Sequence, residues 1–142
     1  HFKPINSDRF LNKTNEMLCH FTKTGNVKID KLAIGVPYAD SSNIKRWGTE
    51  KNIRCRGDSW FIPYSTIQSK SERGNHPAVF PQQLVEWCIK LHGCSQQTIL
   101  LDPFLGSGTS IFAAQSLQIK SIGIDIDADY IQQVKEKLLK VN

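Results

Sequence analysis

The chain has no apolar run long enough to cross a membrane and no signal-peptide pattern at its start, which argues against a spanning or secreted protein and for a cytoplasmic one. Its four cysteines, Cys19, Cys55, Cys88 and Cys94, form no Cys-x-x-Cys pair and have no histidine at zinc-ligand spacing. They read as reduced thiols, with Cys88 on the inner face of a helix, and no metal is implied. The 142 residues are enough for one α/β domain with a modest core. The net charge of +5 is moderate, and where it sits matters more than its size.

What is present centres on two stretches. Thr98-Ile99-Leu100-Leu101 is a short continuous apolar run of the kind buried on both faces of a parallel sheet, and it stops at Asp102-Pro103. Pro103 cannot donate a ladder hydrogen bond, whereas Gly106 and Gly108 permit positive φ and close approach of a ligand to bare backbone. From Ser107 to Leu117 the apolar residues Ile111, Phe112, Ala114 and Leu117 fall at helical spacing, with Ser107 or Thr109 available as N-cap. Ser121 to Ile126 reads as a second strand, and Asp125 lies where a doubly wound fold places the carboxylate that accepts ribose hydroxyls. Asp125 could instead cap the final helix, Asp127 to Lys140, but Asp127 fills that role equally well, which favours ribose binding by Asp125.

The ligand class follows from what the turn lacks. A phosphate-cradling loop wants a lysine after its last glycine, and Thr109-Ser110 follow instead. A dinucleotide fingerprint wants a third glycine where Ile111 stands, and Asp102 would repel a pyrophosphate. An acid beside a glycine turn suits a ligand with a cationic end and an adenosine end, and S-adenosylmethionine has both.

Asp102-Pro103-Phe104-Leu105-Gly106-Ser107-Gly108-Thr109 resembles the Asp-Pro-Phe-x-Gly-x-Gly-Thr cofactor motif of DNA amino-methyltransferases. Gly123-Ile124-Asp125 with Tyr130 resembles the ribose-contacting stretch that follows it. Upstream, Asn75-His76-Pro77-Ala78-Val79-Phe80-Pro81 with Leu84, leading into a helix from Pro81 to Leu91, is similar to the segment that packs against the methionine end of the cofactor. Its place just before the glycine motif matches the permuted group called beta. The resemblance implies a partial Rossmann-like methyltransferase fold of the α/β class with an irregular basic insert. It also implies cofactor contacts from His76, Pro77, Phe104, Gly106, Ser107, Gly108 and Thr109, ribose binding by Asp125, and Asp102 on the methionine ammonium or a water before it.

Lys45, Arg46, Lys51, Arg54 and Arg56 cluster within a dozen residues that also hold Trp47, with Trp60 close behind. Lysine and arginine neutralise phosphates, and arginine also reads guanine in the major groove. Read alone, such a run is equally a solvated loop. It occupies the place of the family's target-recognition region, which implies double-stranded DNA as partner. Residues 1–30 hold Arg9-Phe10-Leu11-Asn12 and then Asn15 to Lys23, read as an edge strand before a Gly25-Asn26 turn. This pattern resembles the segment just after the family's catalytic part, with Phe10 as a wall of the target-base pocket. Three regions result: 1–30 as an edge strand or hairpin, 31–72 as the basic recognition-like region, and 73–142 as the cofactor-binding βαβ region.

The family's catalytic tetrapeptide, Asp/Ser-Pro-Pro-aromatic, is absent. Gly35-Val36-Pro37-Tyr38 and Phe61-Ile62-Pro63-Tyr64 lack both the leading polar residue and the double proline. The resemblance therefore implies the C-terminal part of a DNA methyltransferase, of restriction-modification or orphan type, modifying cytosine N4 or adenine N6. No catalytic residue is assigned within it, and it awaits a missing N-terminal catalytic part or complementary chain. The competing expectation is a non-catalytic DNA-binding module that keeps the methyltransferase fold.

Overall fold

The computed structural model describes residues 15–40, 42, 44, 51–63 and 79–141. Its organised part runs α1 (Gln82–His92), β1 (Ile99–Asp102), α2 (Thr109–Ser116), β2 (Lys120–Gly123) and α3 (Ala128–Val141). The two strands are parallel, with Ile99 opposite Lys120 and Asp102 opposite Gly123. Parallel strands need a crossover, and α2 supplies it. The expected α/β class, a partial Rossmann-like unit, is what the chain forms.

Helix α2 sits at the centre. Its apolar residues Ile111, Phe112, Ala113 and Ala114 are spread around the helix rather than along one stripe, because it is covered from several sides. Ala113 and Ala114 are fully buried, and their small side chains let α1 approach through Ile89 and Val85, with Leu100 and Ile119 closing that cluster. A second cluster joins Ile111 and Leu105 to Val134 of α3, with Phe112, Ile131 and Leu138 around it. Cys88 is half-buried on α1, as expected for its inner face, and burial pushes its thiol above the ordinary range. All four cysteines are unpaired.

Helix α2 ends in a Schellman arrangement. The Gln118 amide donates to the Gln115 carbonyl and the Ile119 amide to that of Ala114, both at 3.0 Å. The left-handed position usually given to glycine is held by Gln118, with φ of 55°.

The structure departs from the sequence reading in five places. The apolar run of β1 is not buried on both faces: Ile99 and Leu101 are 58% and 59% exposed, and Ile122 of the neighbouring strand and Ile124 just beyond its end 53% and 52%. Helix α2 begins at Thr109 with Gly108 as its N-cap, so neither Ser107 nor Thr109 caps it; those two hydroxyls lie 3.3 Å apart and bond each other. The second strand is shorter than expected and ends at Gly123, and the Ile124 carbonyl beyond it accepts from the Leu105 amide of the turn. The helix ahead of β1 is Gln82–His92, with Pro81 at its N-cap. Residues 15–23 form no strand, since a strand needs a ladder partner and this segment is exposed throughout; the Gly25 turn does form, at φ of 69°.

Residues 30–38 and 51–60 dock on α1. The Asp30 amide donates to the Leu91 carbonyl at 2.7 Å, and Val36 and Arg54 exchange backbone hydrogen bonds at 2.8 and 3.0 Å. The Arg56 guanidinium lies 4.0 Å above the Trp87 ring while its Nε donates to the Ile34 carbonyl at 2.9 Å. Trp60 meets Trp87 edge-on at 5.6 Å.

Candidate cofactor site

In the register of the two strands, Asp102 and Gly123 lie side by side, so both chains leave the sheet at the same edge. Pairing continues past the strands: the Ile124 amide donates to the Asp102 carbonyl and the Leu105 amide to that of Ile124, each at 2.8 Å. That end of a parallel sheet is where α/β folds hold ligands, because the following loops diverge there.

The turn is braced by two carboxylates. Asp102 accepts from the Phe104 amide at 2.9 Å through Oδ1 and from the Ser110 hydroxyl through Oδ2. Asp125 reaches across from the second strand, its Oδ2 accepting from the Gly106 amide at 2.7 Å and its Oδ1 from the Asp127 amide at 2.9 Å. Asp127 in turn accepts from the Asp129 amide at 2.9 Å, in the geometry that caps α3. Of the two capping candidates it is thus Asp127 that holds the helix end, which leaves Asp125 facing the turn.

The glycines are required by the chain itself. Gly106 and Gly108 have φ of 50° and 84°, in the left-handed region. A Cβ at Gly108 would stand 2.5 Å from Val134 Cγ2 and 3.2 Å from Phe112, so the turn can lie against α3 only with glycine there. Gly106, Gly108 and Leu105 are buried, whereas Phe104 is 86% exposed.

Between these groups opens a cavity of about 560 Å³, lined by Pro103, Phe104, Gly106, Ile124, Asp125, Ile126 and Tyr130. Its walls are largely apolar, with one carboxylate and a phenol, the pattern of a small-molecule site. The size and donor set fit an adenosyl group: flat apolar walls for a base and an acid for vicinal hydroxyls. Phe104, Gly106 and Asp125, singled out in the sequence, come together here. Ser107, Gly108, Thr109 and Asp102 belong to the same turn but do not line the cavity. Ile124 and Tyr130, from the stretch that resembles the family's ribose contacts, line it too; Pro103 and Ile126 were not assigned as ligand contacts, although an exposed apolar residue directly after a strand-end acid was the available signal.

His76, Pro77, Phe10, Lys45 and Arg46 lie outside the described residues. Lys51 and Arg54 are exposed, as DNA contacts need to be. Arg56 is half-buried, with its guanidinium over the Trp87 ring and its Nε donating to the Ile34 carbonyl. Among the described residues there is no cluster of three metal-ligating side chains and no helix long and apolar enough to cross a membrane.

Comparison with known proteins finds methyltransferases among the relatives of the chain. The type II methyltransferase M.HpaI of Haemophilus parainfluenzae is 34% identical over 110 residues, which cover 78% of this chain and 32% of the relative. M.ScaI of Streptomyces caespitosus, also a type II methyltransferase, is 42% identical over 63% of this chain and 33% of its own length. The chain thus spans about a third of the length of these curated relatives. A crystal structure of M1.HpyAVI with SAM aligns at 36% identity with a TM-score of 0.42, over 46% of this chain and 32% of that one. The DNA methylase family model N6_N4_Mtase matches residues 1–136, nearly the whole chain, and the protein belongs to that family.

Proposed function

We propose that the chain is the cofactor-holding and DNA-facing part of an S-adenosylmethionine-dependent DNA amino-methyltransferase, working in the cytoplasm. The reading is carried by the two strand-end carboxylates bracing a glycine turn beside an apolar cavity of about 560 Å³.

In this reading Asp125 accepts hydrogen bonds from the ribose hydroxyls at the edge of the turn it braces. Phe104, Ile124 and Ile126 give the base its apolar walls. Gly106, Ser107, Gly108 and Thr109 form the floor of the turn, and Asp102 takes the ammonium of the methionine end or a water before it. His76 and Pro77 contact that same end. The cofactor supplies an electrophilic methyl group on a sulfonium, for transfer to an exocyclic amine of a base taken out of the duplex. Holding reactants in line supplies up to about 7–11 kcal/mol in well-oriented cases, and positioning is this chain's share.

Lys51 and Arg54, with Lys45 and Arg46, contact the phosphate backbone of double-stranded DNA, and Phe10 lines the target-base pocket. The polar and aromatic groups that activate the amine come from a catalytic part with an Asp/Ser-Pro-Pro-aromatic motif, which these 142 residues do not contain. The exposed aliphatic face of Ile99, Leu101, Ile122 and Ile124 supports this, since parallel sheets are ordinarily covered on both sides.

The test is to incubate the chain with radiolabelled S-adenosylmethionine and duplex DNA. Cofactor binding and salt-sensitive DNA binding without methyl transfer are expected. Transfer by this chain alone would refute the need for a separate catalytic part. DNA binding without cofactor binding would make it a non-catalytic DNA-binding module.

A further inference from the structure

Asp102 is held more tightly than a turn residue needs to be. Its Oδ1 already closes the local turn with the Phe104 amide at 2.9 Å. Its Oδ2 receives a second hydrogen bond from the hydroxyl of Ser110, on the first turn of α2. Ser110 is 5% exposed and is the buried polar side chain among the described residues, so its hydroxyl needs an internal partner and Asp102 is that partner. Among the described residues the carboxylate has no cationic neighbour. A hydroxyl fixes the direction of a carboxylate without neutralising it, and an ionised carboxylate has about four acceptor sites, of which two are used.

We infer that Ser110 is a positioning residue for the ligand's amino-acid end, locking Asp102 in the rotamer that directs its remaining acceptor lone pairs to the ammonium. The inference rests on the S-adenosylmethionine reading of the site. It assigns a task to a residue behind the turn that does not line the cavity. Without the hydroxyl, Asp102 keeps its charge but loses its direction, and the binding contribution of a charge-assisted hydrogen bond depends on direction.

Two thioethers isolate the effect. S-adenosylhomocysteine and methylthioadenosine share the adenosine and a neutral sulfur, and differ in that only the first carries the amino-acid end. Calorimetric titration of the full chain with each is expected to show Ser110→Ala weakening S-adenosylhomocysteine about tenfold, the scale of one hydrogen bond to a charged group, with methylthioadenosine unchanged. Asp102→Asn should show the same selectivity more strongly. Ser110→Cys, which keeps the volume with a weaker donor, should lose in the same direction and serves if the alanine variant folds poorly. Retained methylthioadenosine binding shows that the site is folded.

Unchanged S-adenosylhomocysteine affinity in Ser110→Ala would overturn the inference. So would an equal loss of both ligands, which marks a purely structural hydroxyl. If the wild type binds the two ligands equally, the inference fails and the cofactor reading stands; if it binds neither, both fall.

Discussion

Replacing Gly108 by alanine tests the geometry of the turn directly. Two costs add at this position. A φ of 84° puts a side chain in the left-handed region, worth about 1–2 kcal/mol for a residue other than glycine. The new Cβ would also stand 2.5 Å from Val134 Cγ2 and 3.0 Å from Cγ1. Val134 is β-branched and 4% exposed, so it cannot swing aside, and overpacking of this kind costs about 1–3 kcal/mol. Gly108→Ala should therefore destabilise the chain by about 2–5 kcal/mol, read from urea denaturation with an unchanged m value. The two terms separate in a double-mutant cycle with Val134→Ala. That change opens a cavity but removes the clash, so the double variant should be more stable than additivity predicts by about 1–3 kcal/mol. The φ strain stays behind in the double variant. Strict additivity, or a loss below 1 kcal/mol in Gly108→Ala on the scale of ordinary surface changes, would refute the packing of the turn against α3.

The same φ argument runs in reverse at Gln118, where glycine should stabilise the chain by about 1 kcal/mol in the same assay; a loss would contradict the left-handed cap. Arg56→Gln should cost about 1–3 kcal/mol through the Trp87 stacking and the Ile34 hydrogen bond, and shift tryptophan fluorescence. Its DNA-binding salt slope should match wild type, whereas Arg54→Gln should lower that slope by about 1; the opposite pattern would return Arg56 to the DNA. Leu101→Thr, on the exposed sheet face, should cost under about 1 kcal/mol, against about 2–5 for Ile111→Ala in the core. Equal losses would mean that the face is covered.

The turn and its flanking elements were legible because the chemistry is local. An apolar run, an acid, a proline and two glycines dictate a strand, a turn and a helix start with no distant partner required. Two strand-end acids a helix apart identify the ligand edge by the same logic. The open face of β1 was hidden, because Ile99-Leu100-Leu101 reads the same whether one side or both are covered. The N-cap of α2 was misread for a related reason: Ser107 and Thr109 have the side chains that cap helices, but the chain turns at Gly108 and directs both hydroxyls to each other. Arg56 was assigned by its charge and its neighbours in sequence. Its partners, Trp87 and the Ile34 carbonyl, are distant along the chain, and only the docking of residues 30–38 and 51–60 on α1 brings them together. Residues 15–23 have a strand's composition, yet composition cannot supply the second strand that a ladder needs.

The central claim, that the cavity beside Asp125 holds an adenosyl cofactor, is tested most directly by calorimetric titration of the chain with S-adenosylmethionine. Saturable binding by the wild type is predicted, with a loss of tenfold or more, about 1.4 kcal/mol, in Asp125→Ala. Absence of binding in the wild type, or binding unchanged in Asp125→Ala, would contradict it.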